Sequence, residues 1–338
     1  GFRVSPCAYV VGLLHPRVIE DLELPRRGYR WTPATGGYFV PFDDGSSIQL
    51  WDDEARADEE LRRFSPKDVK GRHDMHGLLR KMVYALRPLD EHDTWLHRAP
   101  PRAEIESRLG HDKDAIGLLF DWSMAELMQR FLIDERMQMA YMGQGVVGNS
   151  ASPFERGTAS IYYHHYSGRL DGGDPGGWGY VTGGMGMVSF LIHDAAVEAG
   201  ATVATGTPVA RINPGEGVER IRASVVVSNA DPVVTARLLG AAVDPAWKQR
   251  VDAVPMKSAT VKVNAALREL PNFTARPGTR MPHHLATINT PLSPAEWKSC
   301  HAEAMAGRIP KRVWTEIYLQ TAYDPSVAPP GQHVMSVF

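Results

Sequence analysis

Glycine turns, paired histidines and scattered aromatic side chains carry the chemistry in this chain. His164-His165 and His283-His284 are adjacent pairs. Read as strand residues, neighbours point to opposite faces, so neither pair holds one metal ion between its rings. Two readings stay open: one histidine of each pair faces a pocket, or all four are hydrogen-bonded structural groups. No metal site is expected. Gly143-Gln144-Gly145-Val146-Val147-Gly148 spells G-x-G-x-x-G. That fingerprint binds a dinucleotide when its glycines leave a strand and open a helix, bringing the pyrophosphate to the helix N-terminus. Here the glycines leave a helical pattern and run into Asn149-Ser150-Ala151-Ser152-Pro153, which predicts a helix cap and turn. The sequence contains no Walker loop, G-x-S-x-G, H-E-x-x-H or EF-hand loop.

The most informative stretch starts at Trp178-Gly179-Tyr180-Val181-Thr182-Gly183-Gly184-Met185-Gly186. Glycines at a helix start allow close backbone approach and present N–H donors to an electron-rich ligand edge. A helix is predicted over 186–199, closed by Gly200. Strands are predicted at 202–205 and 208–212. Ser224-Val225-Val226-Val227-Ser228 is a β-branched run of the kind found in strands buried on both faces. It ends in Asn229-Ala230-Asp231-Pro232, a cap for a helix over 232–240. Crevices at the carboxyl ends of such strands are where α/β folds hold cofactors.

Other elements must position these groups. An apolar run at 7–14 leads into a short helix at 16–22. Tyr38–Phe42 and Ser47–Trp51 flank Asp43-Asp44-Gly45, a β-hairpin pattern. Residues 53–64 read as a charged helix. Met75, Leu78, Leu79, Met82, Val83 and Leu86 recur at helical spacing. The polar stretch 88–114, with Pro88, Pro100 and Pro101, reads as a mobile segment. One helix is predicted over 123–142, opened by the capping box Ser123/Glu126. Its Met-rich face, including Met128 and Phe131, reads first as core and second as an adaptable wall of an apolar substrate pocket. Residues 160–166 read as a strand or buried helix end. Strands are predicted over 258–267, 312–320 and 333–338.

The 338 residues suit about two domains, or one large composite domain. Apolar residues make up 43% and charged residues 22%, values of an ordinary globular protein. The 37 basic and 39 acidic residues leave no surplus for a general nucleic-acid binder. Cys7 and Cys300 are the only cysteines, which excludes a disulfide framework and a cysteine zinc site and fits a reducing compartment. No apolar stretch is long enough to span a bilayer. The chain begins on Gly1 in mid-pattern and stops at Phe338 inside a strand pattern, so both ends of a longer protein are expected to lie outside it.

The run at 178–186, the Gly206-x-Pro208-Val209-x-x-Ile212 strand and Val226-Val227-Ser228-Asn229-Ala230-Asp231-Pro232 together resemble the phytoene desaturase-like FAD-dependent oxidoreductases. Their order supports the likeness. So do Gly1–Tyr9, the segment from Pro153 to His165, Pro282-His283-His284 and the stretch from Asp324 to Ser336. The resemblance covers the chain apart from about 65–120. It implies an α/β (α+β composite) flavoprotein of amine-oxidase-like build. A discontinuous Rossmann-like FAD-binding domain, with 1–30 at its edge and 183–240 as its second part, would interleave with a substrate domain. That domain, of mixed sheet plus helices, would comprise 31–182 and 241–338. The family's N-terminal G-x-G-x-x-G unit and C-terminal glycine-rich segment have no counterpart in the sequence.

The resemblance further implies FAD as cofactor. Gly183, Gly184 and Met185 would lie near the flavin, the Val209 backbone at the adenine, and Ala230 in the same site. Trp178 and Tyr180 become pocket candidates, and His164 and His165 the candidate catalytic groups. The expected activity is hydride removal from a small apolar substrate, polyene or lipid-like, by the flavin alone. The alternative is a non-enzymatic binding or assembly protein that keeps the fold without FAD. Apolar faces at 75–87 and 124–141 offer peripheral membrane contact if they do not pack inside. The expected setting is cytoplasmic, membrane-associated or, in a eukaryote, mitochondrial, and an oligomer is compatible with the sequence.

Overall fold

The computed structural model describes residues 1–91, 99–170, 173–213, 221–256 and 260–338. The chain separates into two compact units, Gly1–Ala196 with Ala259–Phe338, and Val197–Ser258.

The larger unit is built on eight short strands: β1 (Trp31–Pro33), β2 (Tyr38–Pro41), β3 (Ser47–Leu50), β4 (Gly179–Val181), β5 (Val263–Leu267), β6 (Thr287–Thr290), β7 (Thr315–Tyr318) and β8 (His333–Val337). Six form one mixed sheet in the order β3-β2-β6-β7-β8-β5. Its β2–β6 pair is parallel, and the other neighbours are antiparallel. The β2–β3 hairpin forms as its turn residues predict, with Ser46 N donating to Asp44 at the bend. β1 and β4 make a separate antiparallel ribbon, to whose Gly179 the residue Val11 is bridged.

Helices pack on β2 and β3 through the largest apolar cluster, and three smaller clusters lie elsewhere among the described residues. Met75, Leu79 and Met82 of the Asp68–Glu91 helix are fully buried, as are Met124, Leu127 and Met128 of the Met124–Phe131 helix. The apolar faces read as available to a membrane are therefore turned inwards. Among the described residues no helix is long and apolar enough to cross a membrane.

The capping box at Ser123 and Glu126 is present, but the single helix predicted over 123–142 is two, Met124–Phe131 and Glu135–Met142. Asp68 explains the break. Its buried carboxylate accepts from Ile133 N at 2.6 Å and Asp134 N at 3.0 Å, and Asp134 then caps the second helix. Two N–H groups that a continuous helix would have paired internally are satisfied from another element.

Four further expectations are corrected. The stretch 88–114 contains the helices Arg102–Arg108 and Lys113–Phe120, while its residues 92–98 lie outside the described ones. Residues Ala159–Tyr166 are a helix, the second of the two readings of this segment, so only the strand-neighbour reading of His164 and His165 is corrected. His283 and His284 share one 3-10 turn, Pro282–Leu285. In the smaller unit, 202–205, 208–212 and 224–228 form no strands. Val225, Val226 and Val227 are 73%, 60% and 90% exposed. A strand exists through backbone pairing with a neighbour, and among the described residues none pairs with this run. What the smaller unit keeps of the pattern is local. Asp231 and Asp244 cap the helices Pro232–Leu239 and Pro245–Asp252, each with proline in its first turn. The Gly186–Glu198 helix ends before Gly200 at φ +91°, as read.

Candidate functional site

A cavity of about 920 Å³ opens within the larger unit. The six-stranded sheet contributes Tyr38, Glu316 and Tyr318, and the β1–β4 ribbon contributes Tyr180, with Trp178 just before it. Arg72, His76 and Arg80 are spaced four apart on the Asp68–Glu91 helix, so one helical face presents all three. Tyr162, His165 and Tyr166 share a face of the Ala159–Tyr166 helix in the same way. A second cavity of about 560 Å³ is lined by Arg3, Gly183, Gly184, Met185 and Asp324, among others. Tyr9 and Tyr180 line both, so the two cavities meet at a shared aromatic wall.

The glycine turn reads from sequence to geometry directly. Gly183 and Gly184 take φ of +84° and +94°, which side chains bearing a Cβ rarely adopt. Gly183 N donates to Asp324 Oδ2 at 2.6 Å, and the Gly186–Glu198 helix starts immediately after the turn. Of the residues singled out from sequence, Trp178, Tyr180 and His165 line the large cavity, and Gly183, Gly184 and Met185 line the small one. His164 lines neither. Met128 is fully buried core and Phe131 packs against that core, so the cavity wall is not built from this helix face. Val209 and Ala230 lie in the smaller unit, both exposed. His283 is fully buried and stacks on Phe39 at 4.6 Å, while His284 Nδ1 accepts from Met281 N at 2.9 Å.

Burial sets the protonation of the large cavity. It pushes the His76 pKa down to about 3, helped by the charges of Arg72 and Arg80. Burial, and then His164, brings His165 down to about 4. Both imidazoles are neutral at physiological pH; Tyr162 OH lies 3.5 Å from His76 Nε2, and His165 Nδ1 is buried without a hydrogen-bond partner. Desolvation pushes Asp52 up to about 7, partly opposed by Arg72. The residue lies on the cavity wall and is exposed as a whole. Burial also lowers Lys262, whose Nζ lies 4.9 Å from the centre of the Tyr9 ring. It raises the phenols of Tyr38, Tyr162 and Tyr318 well above their ordinary value, so they stay protonated donors.

The group the sequence reading missed is Glu316, 2% exposed at the centre of the sheet. Its carboxylate accepts from Tyr318 OH at 2.5 Å, from Tyr9 OH at 3.2 Å and from the Gln144 side-chain amide. Tyr38 OH donates to the carbonyl of the same amide at 3.4 Å. Glu316 and Tyr318 are two apart on β7, so a strand assignment alone puts both on one face. Gln144 is the first variable residue of the G-x-G-x-x-G. That stretch is a helix cap and 3-10 turn, as its context predicts. Its glycines serve packing: a Cβ on Gly143 would stand 2.0 Å from the Trp314 ring, and one on Gly145 would stand 2.5 Å from Met124 Cβ. Among the described residues no cluster of histidine, cysteine and carboxylate side chains is arranged to hold a metal ion.

No family model matches the chain. It is 27% identical to mouse pyridine nucleotide-disulfide oxidoreductase domain-containing protein 2, over all of the chain and 65% of that protein. The rat protein of the same name is 26% identical over the same shares. An uncharacterized protein of Mycobacterium tuberculosis is 29% identical over 96% of the chain and 61% of its own length. The chain thus spans less than two thirds of the length of these curated relatives. Among solved structures, a Pyrococcus furiosus protein superposes with a TM-score of 0.53 at 15% identity, covering 99% of this chain and 67% of its own. An oxidoreductase from Methanosarcina mazei superposes with a TM-score of 0.52, also at 15% identity, covering 100% and 68%. The α/β fold, a mixed sheet under helices, is shared with both.

Proposed function

We propose that this chain is part of an FAD-dependent oxidoreductase, phytoene desaturase-like, that removes hydride from an apolar substrate. The observation that carries the reading is the pair of cavities joined at Tyr9 and Tyr180. One is bordered by a positive-φ glycine turn at a helix start, and the other is aromatic and large enough for a lipid-like or polyene ligand. The glycine turn fits a flat, electron-rich edge, because no Cβ blocks approach to its backbone and the helix start favours negative charge. Gly183, Gly184 and Met185 would hold the flavin end. A bound flavin would supply two-electron hydride acceptance. The chain itself would orient the substrate between Trp178 and Tyr180, exclude water with its phenol rings, and keep His76 and His165 uncharged.

The names of the mouse and rat relatives and the Methanosarcina fold support an oxidoreductase. No observation favours the non-enzymatic alternative. The 183–240 segment is assigned to the FAD-binding part and 31–182 with 241–338 to the substrate part, on the resemblance described above. Titrating the purified protein with FAD while following tryptophan fluorescence tests the reading. Saturable quenching is expected, weakened at least tenfold by Gly184→Val, whose side chain would stand in the small cavity in a strained backbone conformation. Equal FAD affinity in Gly184→Val and wild type would place the flavin elsewhere.

A further inference from the structure

Hydride removal as proposed leaves Glu316 without a task, yet its surroundings are those of a proton-transfer group. Its hydrogen-bond partners, Tyr318, Tyr9 and Gln144, are all neutral. Burying a carboxylate with no cation beside it is costly, and neutral donors offset only part of that cost. A structural anchor at this position would be better served by glutamine or an apolar residue. Glu316 and its three partners also all line the large cavity. Burial raises the Glu316 pKa, which makes it a stronger base than an exposed glutamate.

We propose that this cluster gives the protein a second, flavin-independent activity: proton transfer on an apolar ligand that carries a carbonyl group conjugated to or beside a C–H bond. Glu316 takes the proton from the carbon next to the carbonyl. The C–H bond breaks, an O–H bond forms on the carboxylate, and the C–H electron pair moves through the new double bond onto the carbonyl oxygen. A carboxylate that has gained a proton no longer needs a phenol donor. The Tyr318 or Tyr9 hydroxyl is then released to hydrogen-bond the developing oxyanion. Returning the proton to the same carbon is exchange; returning it to a conjugated carbon shifts the double bond. No oxidant or reductant is consumed, so the activity stands or falls apart from the FAD reading, although it shares the cavity with it.

The test uses flavin-free protein and benzalacetone (4-phenyl-3-buten-2-one), an aromatic enone, in heavy water. Binding is followed by tryptophan fluorescence, and deuterium at the carbon beside the carbonyl by mass spectrometry. Wild type is expected to bind and to exchange at least a hundredfold faster than buffer. Glu316→Gln should bind and exchange at the buffer rate, Glu316→Asp should recover part of the rate, and Tyr318→Phe should lose at least tenfold. Should Glu316→Gln fail to fold, Tyr318→Phe and Glu316→Asp carry the test. Bound probe that exchanges at the buffer rate in wild type overturns the proposal, as does exchange unchanged in these variants. A probe that does not bind overturns the ligand class.

Discussion

Gly143→Ala separates the two meanings of the G-x-G-x-x-G stretch. An added Cβ would stand 2.0 Å from the Trp314 ring, where carbon atoms normally rest about 3.5–4.0 Å apart. Ring or turn must therefore retreat by about 1.5–2 Å in a core with few voids. Overpacking of this size costs about 1–3 kcal/mol. The retreat also pulls Gln144 from Glu316, removing a hydrogen bond to a buried carboxylate and bringing the expected cost to the upper half of that range. Urea unfolding followed by far-UV circular dichroism measures it as a lower midpoint at unchanged slope. Adding Trp314→Leu should recover more than half of the Gly143→Ala loss, the coupling expected of two residues packed against each other. If Gly143→Ala leaves the midpoint unchanged and instead weakens FAD binding, the glycines face a nucleotide and the packing argument is refuted.

Asp68→Ala leaves the N–H groups of Ile133 and Asp134 without their buried acceptor, and a loss of about 2–4 kcal/mol in urea unfolding is expected. Asp52 is held at about 7 in the fold, above an unfolded aspartate. The folded state therefore binds the extra proton between the ordinary carboxylate range and about 7, and stability falls as pH rises through that window. Asp52→Asn should flatten the fall, and an unaltered slope in the variant would contradict the upward shift of this carboxyl. His76 runs the other way. Its folded pKa of about 3 lies below that of unfolded histidine, so stability drops on acidification from about 6.5 towards 3. In His76→Phe the acid-side drop should be shallower; a drop as steep as wild type would show His76 to be accessible to protons.

Local signals survived the passage from sequence to structure. The capping box at Ser123, the Asp44-Gly45 turn, the caps at Asp231 and Asp244 and the closure near Gly200 each depend on a few neighbouring residues, and each is present. Non-local decisions were not legible. The interruption of the helix after Phe131 is set by Asp68, more than sixty residues away. The valine run at 225–227 has strand composition, but a strand needs a partner that composition does not name. In the site, Trp178 and Tyr180 were found through a family pattern. Glu316 joins Tyr9, Gln144 and Tyr318 from three distant segments, and its only local trace was the two-residue spacing to Tyr318 on a strand. Met128 and Phe131 fit both wall and core by sequence, because hydrophobic spacing cannot separate those two.

We propose that the glycine turn holds a flavin and the aromatic cavity its substrate. The most direct measurement is the visible spectrum of the protein as purified, followed by heat denaturation and chromatography of the released cofactor. The claim predicts oxidised-flavin bands and FAD released at close to one per protein molecule. Protein that shows no flavin and also fails to take up added FAD would contradict it.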